Sequence, residues 1–174
     1  MNTPVRLSPT ELLGAAVELA DLLVEAVSDG ASLGFLAPLD RREAITWWSA
    51  MAPDVAEGRL VVWAAYDAGR ITGTISFVPG RKANARHRAE IAKLLVRKEA
   101  RGQGLARRLL AVAEHHAAET GVILLMLDTQ TDSAADRLYR REGWTAYGTV
   151  PDYAADPAGV LQPCTFFRKA LASA

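Results

Sequence analysis

Apolar positions recur every three or four residues in the first third of the chain and then shift to alternation and unbroken runs. Leu12, Leu13, Ala16, Leu19, Ala20 and Leu23 share one helical face. Ser8-Pro9-Thr10-Glu11 supplies a hydroxyl cap with proline at the first helical position. This predicts a helix from Pro9 that stops by Asp29-Gly30. Ala31 to Leu36 reads as a loop with unusual apolar content. A second helix is expected from Asp40, as cap, to Met51, carrying Ile45, Trp47 and Trp48. Strands follow at Leu60–Tyr66 and Ile71–Val78 around the turn Asp67-Ala68-Gly69-Arg70, and a third at Glu90–Val96. After Gly104 the stripe Leu105, Leu109, Val112, Ala113, Ala117 predicts a long amphipathic helix, closed by Gly121. The run Val122–Leu127 is short enough for a buried, parallel-type strand. A helix at Ser133–Arg141 and strands at Trp144–Val150 and Cys164–Lys169, around a loop rich in Pro, Asp and Gly, complete the pattern. Hairpins with one strand–helix–strand crossover define a mixed α/β fold.

Composition narrows the class. The chain has 174 residues, half of them hydrophobic, which fits one domain spanning 1–174 with a sizeable core. One cysteine, Cys164, excludes an intramolecular disulfide framework. The opening residues lack a secretory pattern, and no apolar run approaches the ~20 residues a membrane helix needs. A soluble, cytoplasmic protein with no membrane partner is the expectation. Net charge is zero, yet Arg81 to Arg108 holds ten Lys/Arg against Glu90 and Glu99. A local basic field in a neutral chain suits a small polyanionic ligand better than nucleic acid, although a solvated charged surface has the same signature.

The candidate chemistry sits in the unit of strand, glycine loop and helix at Arg101-Gly102-Gln103-Gly104-Leu105-Ala106. A helix start offers free N–H groups and the positive end of a dipole, and glycine lets a phosphate approach the backbone. No Gly-Lys-Ser/Thr follows, so this is not a Walker loop. The third glycine and the acidic strand end of a dinucleotide fingerprint are also missing. Alone, Gly-x-Gly equally fits a plain strand-to-helix turn.

The loop stands in a wider pattern. Leu94-Leu95-Val96, Arg101 to Ala106 and Leu109-Leu110 resemble the Arg/Gln-x-x-Gly-x-Gly/Ala signature of the Gcn5-related N-acetyltransferase (GNAT) family. Asp132 to Tyr139 followed by Glu142-Gly143-Trp144 resembles the family's second signature, Asn-x-x-Ala-x-x-Leu-Tyr ending in Gly-Phe. Asp132 replaces its Asn, and still allows a helix cap; Trp144 replaces its Phe. Gly30–Phe35, Asn84–Lys93, Leu127-Asp128-Thr129 and Val150–Tyr153 resemble the tabtoxin-resistance branch, whose members acetylate a β-lactam amino-acid toxin. The resemblance implies a mixed, mostly antiparallel central sheet flanked by helices and splayed between its two central parallel strands. Acetyl-coenzyme A (acetyl-CoA) is the implied cosubstrate, and an amine or hydroxyl of a small molecule, such as an amino-acid-like toxin or antibiotic, the implied acceptor. It implies Leu95 and Val96 on the pantetheine arm and thioester. The amides of Gly102, Gln103, Gly104, Leu105 and Ala106, with Arg101, would take the pyrophosphate, and Asp132 joins this cofactor set.

Acetyl transfer needs a neutral nucleophile, donors for an oxyanion and a proton for the thiolate. Glu90 and Asp128, acids beside apolar runs, are candidate bases, and Asp128 also lies where open α/β sheets bind ligands. Each also fits a cap or ion-pair role. Tyr139, core packing if read alone, becomes the candidate acid within the second signature. Ser32 and Phe35 are candidate acceptor contacts, unless their loop only connects helices. Nothing requires a metal: His115 and His116 have no partners at ligand spacing. Cys164 reads as a small buried apolar group, and Trp47-Trp48 as core, unless a tryptophan walls an acceptor pocket. A cofactor-binding module without catalysis, a nucleotide site, and a protein-amine acceptor are the competing readings. Monomer and homodimer are undecided.

Overall fold

The computed structural model describes residues 3–171. Its elements are β1 (Val5–Arg6), α1 (Pro9–Ser28), α2 (Arg41–Ser49), α3 (Ala52–Ala56), β2 (Val61–Asp67), β3 (Arg70–Pro79) and β4 (Arg88–Val96), followed by α4 (Leu105–Glu119), β5 (Leu124–Gln130), α5 (Ala134–Arg141), β6 (Thr145–Ala155) and β7 (Leu161–Ala170). The seven strands form one sheet in the order β1-β2-β3-β4-β5-β7-β6. Only β4 and β5 pair in parallel; every other neighbour is antiparallel. α1 and α2 bury Leu12, Leu19, Leu23 and Trp48 against one face of the sheet. α4 buries Leu105, Leu109 and Ala113 against Ile75, Phe77 and Leu125 on the other, where Tyr139 of α5 also packs.

Local chemistry explains the elements that match expectation. Ser8 and Glu11 form a reciprocal capping box: Ser8 Oγ accepts from Glu11 N–H at 3.3 Å, and Glu11 Oε2 accepts from Ser8 N–H at 2.7 Å. Asp40 caps α2 by accepting from Arg42 and Glu43 N–H. Other boundaries differ. α2 stops at Ser49, and a separate short helix, α3, carries Pro53 in its first turn, which the sequence reading missed along with β1. β6 continues to Ala155, into the stretch expected as a loop, and β7 starts already at Leu161. Its register against β7 jumps between Val150 and Ala154, and Asp152 sits at φ 53°. Pro151 is tolerated there because β6 is an edge strand. β5 starts later and ends later than expected. Val122 N–H bonds to Ala117 O as part of the α4 ending, whereas Asp128, Thr129 and Gln130 pair with Phe166, Thr165 and Cys164.

Two features of the parallel pair position the site. The β4–β5 ladder holds only Arg88 to Glu90 against Leu124 to Met126, so the two strands part beyond Glu90 and Met126. On its other side β4 changes register between Thr74–Leu95 and Ser76–Ala92, and Lys93 adopts φ 50°. This bulge re-aims the strand where the opening begins.

The exit of β4 is braced to α1. Arg97, 2% exposed, donates from Nε to Ile71 O at 2.7 Å and from Nη1 to Glu25 Oε2 at 2.9 Å. Glu25 Oε1 also accepts from Lys98 N–H. Removing one partner of a buried ion pair costs about 3–5 kcal/mol. Glu25 keeps some contact with water, so Glu25→Ala should cost about 3 kcal/mol in urea unfolding. A loss below about 1 kcal/mol, the worth of an exposed pair, would show that the brace does not hold the strand.

Candidate active site

The glycine loop leaves β4 through a short turn at Lys98–Ala100 and enters α4 at Leu105. Gly102 (φ 77°) and Gly104 (φ 73°) hold left-handed backbone, and nothing crowds a Cβ at Gly102. The first turn of α4 has no side-chain cap. Among the described residues the amides of Gly102, Gln103, Gly104, Leu105 and Ala106 have no hydrogen-bond partner in a turn or cap. Arg108 folds back to donate from Nη1 to Gln103 O at 3.0 Å, and its buried Nε is unpartnered. Free amides, a helix dipole and an orphaned guanidinium nitrogen suit an anionic group at this loop.

The neighbouring cations are engaged elsewhere. Arg101 donates to Val96 O at 3.1 Å and pairs with Asp29 at 3.0 Å, so its guanidinium faces the end of α1. Lys98 also approaches Asp29, and Arg107 pairs with Glu142. Gln103 donates its side chain to Glu99 O. The basic stretch from Arg81 to Arg108 therefore divides. Arg81, Lys82, Arg86 and Arg88 lie at the other end of β4, and the loop is left to its backbone and Arg108. Asp132 does not cap α5. Ser133 does, accepting from Asp136 N–H at 3.1 Å, and Asp132 holds φ 60° just outside. Buried Asp136 fixes this turn by accepting from Asp132 N–H and from Arg140 Nε.

On the α1–α2 face, where the parallel pair begins to open, lies a cleft of about 580 Å³. Glu90, Met126 and Asp128 form its floor; Tyr147, Tyr153 and Phe166 wall one side, and Arg81, Lys82 and Arg88 edge another. Asp128 is not the last residue of β5, as expected, but the second beyond the end of its parallel pairing. That places it at the opening. Partial burial pushes the Glu90 carboxyl up, and the negative charge of Asp128 adds to this. Asp128 also pushes up the Tyr153 phenol. Tyr153 meets Phe166 edge-on at 5.1 Å because the Pro151–Tyr153 bulge carries it there.

Cys164 and Lys93, not foreseen as site elements, shape the opening, with Trp47 beside them. Cys164, on β7, lies 3.3 Å from Asp128 Oδ2 and 3.2 Å from Thr129 O. Burial, then the Asp128 carboxylate, pushes its thiol up to about 12. It stays a neutral donor that orients the acid. Lys93 donates to Leu33 O at 3.0 Å and lies 5.3 Å from the Trp47 ring and 6.0 Å from the Phe35 ring. Burial pushes its amine down, against the pull of Asp128 and Glu90. A lysine within an apolar strand was the one available signal. Trp47 is half-buried against Phe35, while Trp48 alone is fully core. The Gly30–Phe35 loop crosses to the β6–β7 end, where Ser32 Oγ reaches Ala155 O at 3.5 Å. Ser32 and Phe35 thus close the region above Lys93 and do not line the Glu90–Asp128 cleft.

Tyr139 approaches from the other face. It is 6% exposed and packs near Trp144 (5.7 Å) and Phe167 (5.9 Å). Burial, then Asp128, raises its phenol well above the usual range, so it remains protonated. Leu95 is buried in the α1–α2 core and pairs with Thr74; Val96 is half-buried and pairs with Gly73. Both belong to the stretch of β4 that has left β5.

The arrangement is a parallel pair that opens, a loop of free backbone amides on one side and paired acids on the other. Residues 19–144 match the model of the acetyltransferase (GNAT) family, and the chain belongs to that family. A ribosomal-protein-alanine N-acetyltransferase from Brucella melitensis is 25% identical over 97% of this chain and 99% of its own, with a TM-score of 0.73. YncA of Salmonella typhimurium, solved with its cofactor acetyl-CoA, is 20% identical over 100% and 96%, with a TM-score of 0.78. A GCN5-related N-acetyltransferase from Kribbella flavida is 22% identical over 97% and 98%, with a TM-score of 0.76.

Proposed function

We propose that this chain transfers the acetyl group of acetyl-CoA to the amine of a small molecule in the cytoplasm. The observation that carries the reading is the opening of β4 from β5 between the glycine loop and the Glu90–Asp128 cleft. Acetyl-CoA fits there, its pyrophosphate on the amides of Gly102–Ala106 and its arm along Leu95 and Val96. The family assignment and the acetyl-CoA-bound relative support that placement. Bound there, the thioester supplies the activated acyl group. Asp128, oriented by Cys164, and Glu90 hold the acceptor and take the proton its nitrogen loses. The C–N bond forms, the C–S bond breaks, and Tyr139 gives its phenolic proton to the sulfur. Lys93 and Leu94 fall outside the β3–β4 register, and their amides are the donors we assign to the oxyanion.

A cleft of about 580 Å³ has the size of a small-molecule site, which favours a small acceptor over a protein amine. Adjacent acids, bases and aromatic rings favour an amino-acid-like acceptor, such as a toxin or antibiotic. The segments resembling the tabtoxin-resistance branch agree.

The acids give a direct test. Asp128→Asn should lower turnover more than it lowers CoA affinity, with Glu90→Gln as its pair. Glu90 must lose its proton to act as a base, so rate should rise with pH through its raised pKa. Asp128→Asn leaves the burial that chiefly raises Glu90 but removes the charge that adds to it, so the acidic limb of kcat/KM should move to lower pH. Near wild-type rates in both variants would remove the base assignment.

A further inference from the structure

A second cleft of about 820 Å³, larger than the acceptor cleft, lies on the α4 face at the far end of β4 from the glycine loop. Its floor is Val61, Phe77, Val122 and the His116 ring. Arg6 enters from β1, and Arg86 and Arg81 from the β3–β4 connection, Arg81 standing on the rim shared with the acceptor cleft. Among the described residues none of these three guanidiniums has a carboxylate partner, although the chain pairs most of its other arginines. Arg59 and Glu57 also line the cleft, but they pair with each other. The cleft therefore keeps the positive charge of Arg6, Arg81 and Arg86 uncompensated.

The backbone that presents two of them is fixed. Gly80 N–H donates to Arg88 O at 2.9 Å and Ala85 N–H to Lys82 O at 2.8 Å, and Ala85 is buried. A Cβ at Gly80 would fall 2.1 Å from Ala85 O, so the loop closes tightly on itself. The end of α4 beside the cleft does not offset the charge. Its last carbonyls are taken, His116 O by Thr120 Oγ at 2.7 Å and Ala117 O by Val122 N–H at 2.8 Å. His116 stands edge-on to Trp63 and Phe77 at 5.4 and 5.1 Å. Burial, then the charge of Arg6, holds its imidazole below the usual range, so it is a neutral ring and donor at the base of the cleft.

We propose that Arg6, Arg81 and Arg86 form a second binding site, which takes a small multivalent oxyanion. The site is separate from the glycine loop, and it places a ligand behind the strand that carries Glu90. Guanidinium forks suit both phosphate and carboxylate oxygens, and the apolar floor accommodates the body of the molecule.

The test is a calorimetric titration of inorganic pyrophosphate, and in a second arm citrate, into protein saturated with CoA, so that the glycine loop is filled. The His116 ring resonances are followed in parallel as a local reporter that does not depend on where CoA binds. One equivalent should bind, weakening with added salt, and the His116 signals should move. The stronger arm identifies the ligand as phosphate-like or carboxylate-like. Arg6→Ala/Arg86→Ala removes two exposed side chains, neither on the acceptor cleft, and should weaken binding by at least about tenfold while abolishing the His116 response. Unmoved His116 signals in the wild type, or equal affinity in the double variant, would overturn the site.

Discussion

Tyr139→Phe should reduce kcat and kcat/KM together by about 10²–10⁴-fold, the usual worth of a general acid. The change removes one proton donor and keeps the ring that fills the space beside Trp144 and Phe167. Stability and CoA affinity should therefore change little. The loss should be the same at every pH. A thiol with a pKa of about 8.5 can leave unaided at a lower rate, and the phenol, raised by burial and then by Asp128, stays protonated throughout. If Tyr139 only packs, turnover stays within a few-fold of wild type at every pH.

Gly104→Val should all but abolish CoA binding. The backbone there lies at φ 73°, and the Cβ direction is open except for Arg108 Nη1 at 3.7 Å. A branched side chain would stand where a phosphate approaches the amides. The left-handed backbone adds strain of about 1–3 kcal/mol, small against the 5–15 kcal/mol that holds a domain folded. Thermal unfolding should show a lowered but cooperative transition. Calorimetry on that folded variant should show CoA affinity lost by two orders of magnitude or more, about two contacts to a charged group. An unchanged affinity would place the pyrophosphate elsewhere.

The parts of the fold that local chemistry decides were legible in the sequence. α1 announces itself by Ser8, Pro9, Glu11 and a helical stripe, and α4 by Gly104, its stripe and Gly121. The glycine loop could be read as an anion site because its amides follow from its position before a helix. Boundaries set by pairing partners were not legible. β5 runs on to Gln130 because β7 pairs with it, and β6 reaches Ala155 because an edge strand absorbs Pro151 through a bulge. The bulge at Lys93 belongs to the same class: nothing in Ala92-Lys93-Leu94 states that the strand changes register there. Charge was the least legible feature. Of the ten basic residues between Arg81 and Arg108, four lie at the start of β4, five at or beyond its exit, and Lys93 in its middle, and Arg97, Lys98, Arg101 and Arg107 find acids that lie far away in the chain. Proximity of Cys164 to Asp128, 36 residues apart, depends wholly on the β5–β7 register.

The central claim is that this chain catalyses transfer and does not merely hold its cosubstrate. Release of free CoA thiol from acetyl-CoA, followed over a panel of small amines and amino acids, tests it most directly. The expected result is release that depends on one class of amine, in step with appearance of the acetylated product, and that falls in Tyr139→Phe and Asp128→Asn. Tight acetyl-CoA binding with no amine-dependent release, in wild type and variants alike, would contradict the claim and leave a cofactor-binding module in its place.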